Sequence, residues 1–140
     1  MRAWLPAALA ALLAGCTAAY SLTLMPRDSG TQYQGEASGP SGGEARVTVT
    51  IGDRTYEGSW VVTQPPVQTG VSVGGTFGRF PMMGTSVVID NPQGDEAKAL
   101  LHSADGRGLR CDFRGVTGAA GSGTCSDDDG RIYDVQLRRK

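Results

Sequence analysis

Apolar and polar residues alternate with period two through much of this chain, the signature of strands that bury one face. Tyr20, Leu22 and Leu24 take alternate positions within residues 17–26, which predicts a first strand. Val47, Val49 and Ile51 share one face of residues 46–51, and Tyr56, Gly58, Trp60 and Val62 align through residues 55–62. The Gly52-Asp53-Arg54 turn between these runs makes them a β-hairpin, with Gly58 leaving room for a large side chain opposite. Residues 85–90, with Val87-Val88-Ile89, read as a strand by β-branching. Asn91-Pro92-Gln93-Gly94 then turns the chain, and residues 97–102 return. Leu109, Cys111 and Phe113 fall on one face, with Arg110, Asp112 and Arg114 on the other. Near the C-terminus Tyr133, Val135 and Leu137 point inward in the same way.

Three stretches break the alternation. Residues 28–44 are rich in Gly and Ser and read as a loop with a short extended piece around Tyr33. Within residues 63–84, Gln64-Pro65-Pro66 ends a strand, because proline cannot donate to a ladder. The rest of that stretch is a long glycine-rich connection carrying Phe77, Phe80, Met82 and Met83. Residues 115–123 read as a flexible loop, and Asp127-Asp128-Asp129-Gly130 as a turn into the last strand. Glycine supplies 21 of 140 residues, and each interior glycine costs a helix about 0.5–1 kcal/mol relative to alanine, so no helix is expected in the mature domain. The expected fold is all-β: a small antiparallel barrel or sandwich of about seven or eight strands, closed to remove exposed edges.

The N-terminus carries a different pattern. Arg2 precedes an apolar run over residues 5–13, and Leu13-Ala14-Gly15-Cys16 follows. A charged start, a short apolar core and small residues at a cut describe an export signal. The run is far shorter than the roughly 20 residues of a spanning helix. The tetrapeptide ending in Cys16 resembles the lipobox of bacterial lipoproteins. That resemblance implies cleavage before Cys16 and diacylglycerol on its thiol, often with acylation of the new amine, and hence attachment to a membrane through that residue. Two or more chains make such anchoring stable where one gives only reversible binding. With Thr17 after the cysteine rather than Asp, the sorting pattern of Gram-negative lipoproteins implies the outer membrane, facing the periplasm. The expected organisation is therefore a signal peptide at 1–15, anchor and first strand at 16–26, and one β domain at 27–140 with its Gly-rich loop at 63–84.

Export changes the reading of the cysteines. With Cys16 lipidated, Cys111 and Cys125 remain, and two thiols in an oxidising compartment pair. Joining them across neighbouring strands brings Phe113 beside Gly123, which leaves space for the ring. A spacing other than Cys-x-x-Cys and the absence of a nearby histidine favour a structural bridge over a redox or zinc pair. Loss of residues 1–15 leaves 12 basic against 14 acidic residues, without the basic stripe of a nucleic-acid binder. Beyond the lipobox, Leu109-x-Cys111-x-Phe113, Gly121-x-Gly123-x-Cys125 and Gly130-x-x-Tyr133 make the chain resemble small proteobacterial lipoproteins of unknown function, a likeness that implies the fold and no activity.

Candidate chemistry is sparse. His102 is the single histidine, at the end of a strand and without a Gly-x-Ser-x-Gly elbow. It supports a periplasmic hydrolase only as an alternative. The acids sit mostly in turns, where Asp is favoured for its backbone hydrogen bonding. Residues 127–129 collect three carboxylates, yet the spacing of a calcium-binding EF-hand is missing, so a solvated turn is expected and no metal or cofactor is assigned. Ser29-Gly30-Thr31-Gln32-Tyr33 matches the Ser-Gly-x-x-Tyr string of lipid-anchored lysozyme inhibitors, themselves small disulfide-bearing β-barrels, although theirs lies further along the chain. Phe77, Phe80, Met82 and Met83 are the candidate contact for an envelope protein or polymer, because Met and aromatic side chains suit adaptable surfaces. The leading expectation is a lipid-anchored, non-catalytic binding or structural module.

Overall fold

The computed structural model describes residues 15–40, 42–65, 67–71, 86–90 and 94–140. Ten strands follow one another in the order β1 (Thr17–Pro26), β2 (Tyr33–Pro40), β3 (Ala45–Ile51), β4 (Arg54–Gln64), β5 (Val67–Val71), β6 (Ser86–Asp90), β7 (Glu96–Ser103), β8 (Gly108–Arg114), β9 (Ala120–Asp127) and β10 (Ile132–Arg139). Eight of them close into an antiparallel barrel in the ring order β1-β10-β9-β8-β7-β4-β3-β2, while β5 and β6 pair only with each other. The molecule is thus an up-and-down barrel with a two-stranded hairpin inserted between β4 and β7. Closure leaves no barrel strand with an unpaired edge, which is how small all-β domains avoid edge-to-edge aggregation.

The predicted alternation sets the inside and outside of the wall. Leu22, Leu24, Val47, Val49, Leu101, Leu109, Val135 and Leu137 point inward and are buried, as are both cysteines of the bridge. Toward the Cys16 end the interior is filled by Tyr20, Trp60 and Phe113, whose rings meet edge to face at 5.4 and 5.7 Å. Toward the other end Tyr33 meets Tyr133 at 6.4 Å in the same geometry. Small residues face the large ones. A Cβ on Gly123 would stand 2.7 Å from the Phe113 ring, and one on Gly58 would stand 2.9 Å from the Leu101 side chain. A gap lined by Tyr20, Ala45, Trp60, Val62 and Val116 measures about 10 Å³, the space of one water at most. This barrel is packed solid.

Outside, the wall is charged and cross-linked. Arg27–Asp134, Arg54–Asp105, Arg131–Asp28 and Arg114–Glu96 pair at 2.9 Å, and Arg110 reaches Asp128 at 3.1 Å. Exposed pairs of this kind contribute about 0–1 kcal/mol each. An outward face bearing Arg, Asp, Glu and Lys is the inverse of a transmembrane barrel, whose outer band is apolar.

Several sequence expectations are corrected. Residues 33–40 form a full strand rather than a short extended piece, hydrogen-bonded to β1 on one side and β3 on the other. The period was hidden because its inward positions are Gly35, Ala37 and Gly39; a Cβ on Gly35 would stand 2.8 Å from the Thr48 carbonyl. Part of the expected 63–84 loop is β5. Residues 86–90 pair with β5, not with residues 97–102, which lie between β4 and β8 instead. The flexible loop expected to Gly123 ends earlier, because β9 begins at Ala120 and pairs with β8 through small residues.

Candidate functional site

The antiparallel order gives the barrel two unlike rims. Cys16 is exposed and directly precedes β1, whose Thr17 pairs with Pro40 of β2. At this rim the C-terminal strand also ends: Tyr20 pairs with Arg139, and the Lys140 amide donates to the Ala19 carbonyl at 2.9 Å. Gln64, closing β4, pairs with Glu96, opening β7, so the inserted hairpin is rooted in the same rim. The connection at residues 115–119 completes it. Here sequence reasoning missed a buried carboxylate: Asp95, whose Oδ2 accepts the Thr117 amide at 3.0 Å and whose carbonyl accepts the Gly115 amide at 3.1 Å. Nothing in the sequence separates Asp95 from the turn acids around it.

The opposite rim is built from turns. The β1–β2 connection, the Gly52-Asp53 turn, residues 104–107 and residues 128–131 meet there. Gly52 and Gly130 hold φ of 63° and 79°, conformations that glycine adopts without strain. Asp127 is fully committed: its Oδ1 accepts the amides of Asp129 and Arg131 at 3.0 and 2.9 Å, and its Oδ2 accepts the Tyr133 hydroxyl at 3.0 Å. Asp128 accepts the Gly108 amide at 2.7 Å and pairs with Arg110, while Asp129 pairs with Arg107. The three carboxylates therefore diverge toward separate partners. Among the described residues no group of three or more His, Cys, Asp or Glu side chains is placed to share a metal ion.

These contacts shift the acids and the phenol. Hydrogen bonds from Ser103 and from the Arg54 guanidinium hold Asp105 down at about 2. Desolvation, followed by the hydrogen bond to Asp127, pushes Tyr133 up to about 12.

The remaining candidates separate. Cys111 and Cys125 sit directly opposite each other and are joined by a disulfide, with Phe113 opposite Gly123 two residues along the ladder, as expected. His102 stands exposed on the outer wall, paired with Glu57 on one side and Gly108 on the other. Its groove is open and lined by Glu57, Ser59, Leu100 and Arg46, and no hydroxyl or thiol is hydrogen-bonded to the imidazole among the described residues. Phe77, Phe80, Met82 and Met83 lie outside the described residues, as do Leu13 and Ala14 of the expected lipobox. Ser29-Gly30-Thr31-Gln32-Tyr33 crosses the far rim, where the Ser29 hydroxyl accepts the Thr31 amide at 3.0 Å and holds the loop in a tight turn. No family model, curated protein or solved structure matches the chain.

Proposed function

We propose that this chain is a lipid-anchored envelope protein: an acylated Cys16 holding a solid, non-catalytic β-barrel at a membrane surface, where it binds or spaces other envelope components. The observation that carries the reading is the lipobox Leu13-Ala14-Gly15-Cys16 followed without a spacer by β1 at Thr17. Cleavage before Cys16 leaves all eight barrel strands intact. A filled interior argues against a carrier that stores a ligand inside the barrel, so contacts are assigned to the rims and the inserted hairpin. Outer-membrane attachment facing the periplasm follows from Thr17 under the same reading. The test is expression of the full chain in a Gram-negative host with palmitate labelling: label should enter the protein and be lost in Cys16→Ser, with the variant released to the soluble fraction. Equal membrane recovery and no labelling of either form would overturn it.

One observation favours a second reading. Gly30, Thr31 and Gln32 of the Ser-Gly-x-x-Tyr string are exposed in a turn at the rim opposite Cys16, with Tyr33 half-buried against Tyr133, and the fold is a disulfide-bridged eight-stranded barrel. That arrangement suits a lysozyme-inhibitor-like protein holding the loop away from its anchor. Inhibition of cell-wall lysis by the purified barrel, weakened in Ser29→Ala, would support it; unimpeded lysis at saturating barrel would remove it. A hydrolase using His102 receives no support from the open groove around that side chain.

A further inference from the structure

We propose that the β5–β6 hairpin is a second membrane contact, lying in the headgroup layer of the leaflet that holds Cys16 and seating the barrel upright on it. The inference rests on the lipid-anchor reading and deepens it. Its first support is position. The hairpin leaves the barrel between Gln64 and Glu96, at the rim where β1 begins. In the ring order β7 is the fourth strand from β1 in either direction, so hairpin and acyl anchor are rooted on opposite sides of one mouth. With no residue between Cys16 and Thr17, the rim has no tether length in which to lift away from the lipid.

Composition and unmet pairing supply the second support. Val67, Val71, Val87, Val88 and Ile89 make up half of the two strands, whose single charge is Asp90. The barrel wall, by contrast, is laced with ion pairs. Among the described residues, β5 and β6 hydrogen-bond to each other and to no barrel strand. A lone two-stranded hairpin is marginal in water and needs a further apolar surface to persist. Its two open edges forbid entry into hydrocarbon, where unpaired backbone groups go unsatisfied. The headgroup layer meets both conditions, offering apolar acyl chains on one side and water for the edges on the other. Two contacts across the mouth fix the tilt of the barrel, because the second binds at the high effective concentration set by the first. The far rim, with the Ser29–Tyr33 turn and the Arg–Asp pairs, then faces away from the membrane.

The test uses the full lipidated protein in phosphatidylethanolamine–phosphatidylglycerol vesicles containing nitroxide-labelled lipid. Val87→Cys and Val88→Cys, adjacent in one strand, sample both faces of the hairpin, and Asp53→Cys marks the far rim. Each introduced thiol takes a fluorophore, since Cys16 is acylated and Cys111 and Cys125 are bridged. The expected result is strong nitroxide quenching and loss of iodide quenching at position 87 or 88, with the reverse at 53. Iodide quenching at 87 and 88 equal to that at 53 would overturn the proposal. Shielding from iodide without nitroxide quenching would also overturn it, in favour of a protein cover. The N-terminal peptide mass reports acylation of Cys16 independently, and Cys16→Ser chains carrying the same labels read the hairpin contact without the anchor. Failure of the anchor and failure of the hairpin contact are thus separate results.

Discussion

At the scale of single residues, the barrel is held by fitted pairs of large and small side chains. A Cβ at position 123 would overlap the Asp112 carbonyl oxygen as well as press on Phe113. Gly123→Ala is therefore expected to cost about 1–3 kcal/mol, the range for overpacking a filled core, checked by urea unfolding. The neighbouring disulfide closes a loop with a sequence separation of 14, and both cysteines are buried. Replacing Cys111 and Cys125 by alanine should lower stability by about 3 kcal/mol on the chain-entropy estimate, while thiol reagents should leave the native bridge unlabelled until reductant is added. Tyr133 gives a prediction in pH. Its folded pKa of about 12 lies above the ordinary value of 10.0, so the folded chain keeps its phenol proton while the unfolded chain loses it. Stability from this group is complete below pH 10 and is lost as pH rises toward 12. Tyr133→Phe should flatten that decline relative to the parent in denaturant titrations at stepped pH; parallel curves would show that the phenol does not contribute.

At the scale of elements, the insertion and the barrel are predicted to be energetically separable. Val62 pairs with Ala97 and Gln64 with Glu96, so β4 and β7 are already neighbours without the residues between them. Replacing residues 66–93 by a short Gly-Ser turn should shift the thermal midpoint by only a few degrees, an effect of about 1 kcal/mol or less. A collapse of the cooperative transition would mean that the hairpin is part of the core. The strands legible in the sequence were those whose inward positions are large and apolar: β1 over Tyr20, Leu22 and Leu24, the β3–β4 hairpin, β8 and β10. Those that escaped carry the complementary small residues, Gly35, Ala37 and Gly39 in β2 and Gly121 and Gly123 in β9. Glycine is read locally as a breaker, whereas here it makes room for large side chains on neighbouring strands, and that requirement exists only once the barrel is closed. The pairing of β6 with β5 was hidden for a related reason: the turn signal in the sequence Asn91-Pro92-Gln93-Gly94 pointed to the nearer neighbour, β7. Asp95 shows the same limit at the level of a site, since its burial depends on the 115–119 connection folding over it.

At the scale of the whole molecule, two unlike rims on a solid barrel define an orientation. One gathers Cys16, the C-terminus and the roots of the inserted hairpin; the other gathers Asp-rich turns, Arg–Asp pairs and the Ser29–Tyr33 turn. The disulfide pairing was legible because, with Cys16 assigned to the expected lipobox, Cys111 and Cys125 have only each other. The proposed anchor, by contrast, would be a chemical modification whose whole signal is the Leu13-Ala14-Gly15-Cys16 resemblance, and it bears most of the proposed function. The most direct measurement is therefore the mass of the N-terminal peptide of the protein recovered from membranes of a Gram-negative host. The expected species begins at Cys16 and carries a diacylglyceryl thioether, with or without an acyl chain on its amine. A peptide retaining residues before Cys16, or one beginning there with an unmodified thiol, would contradict lipid anchoring.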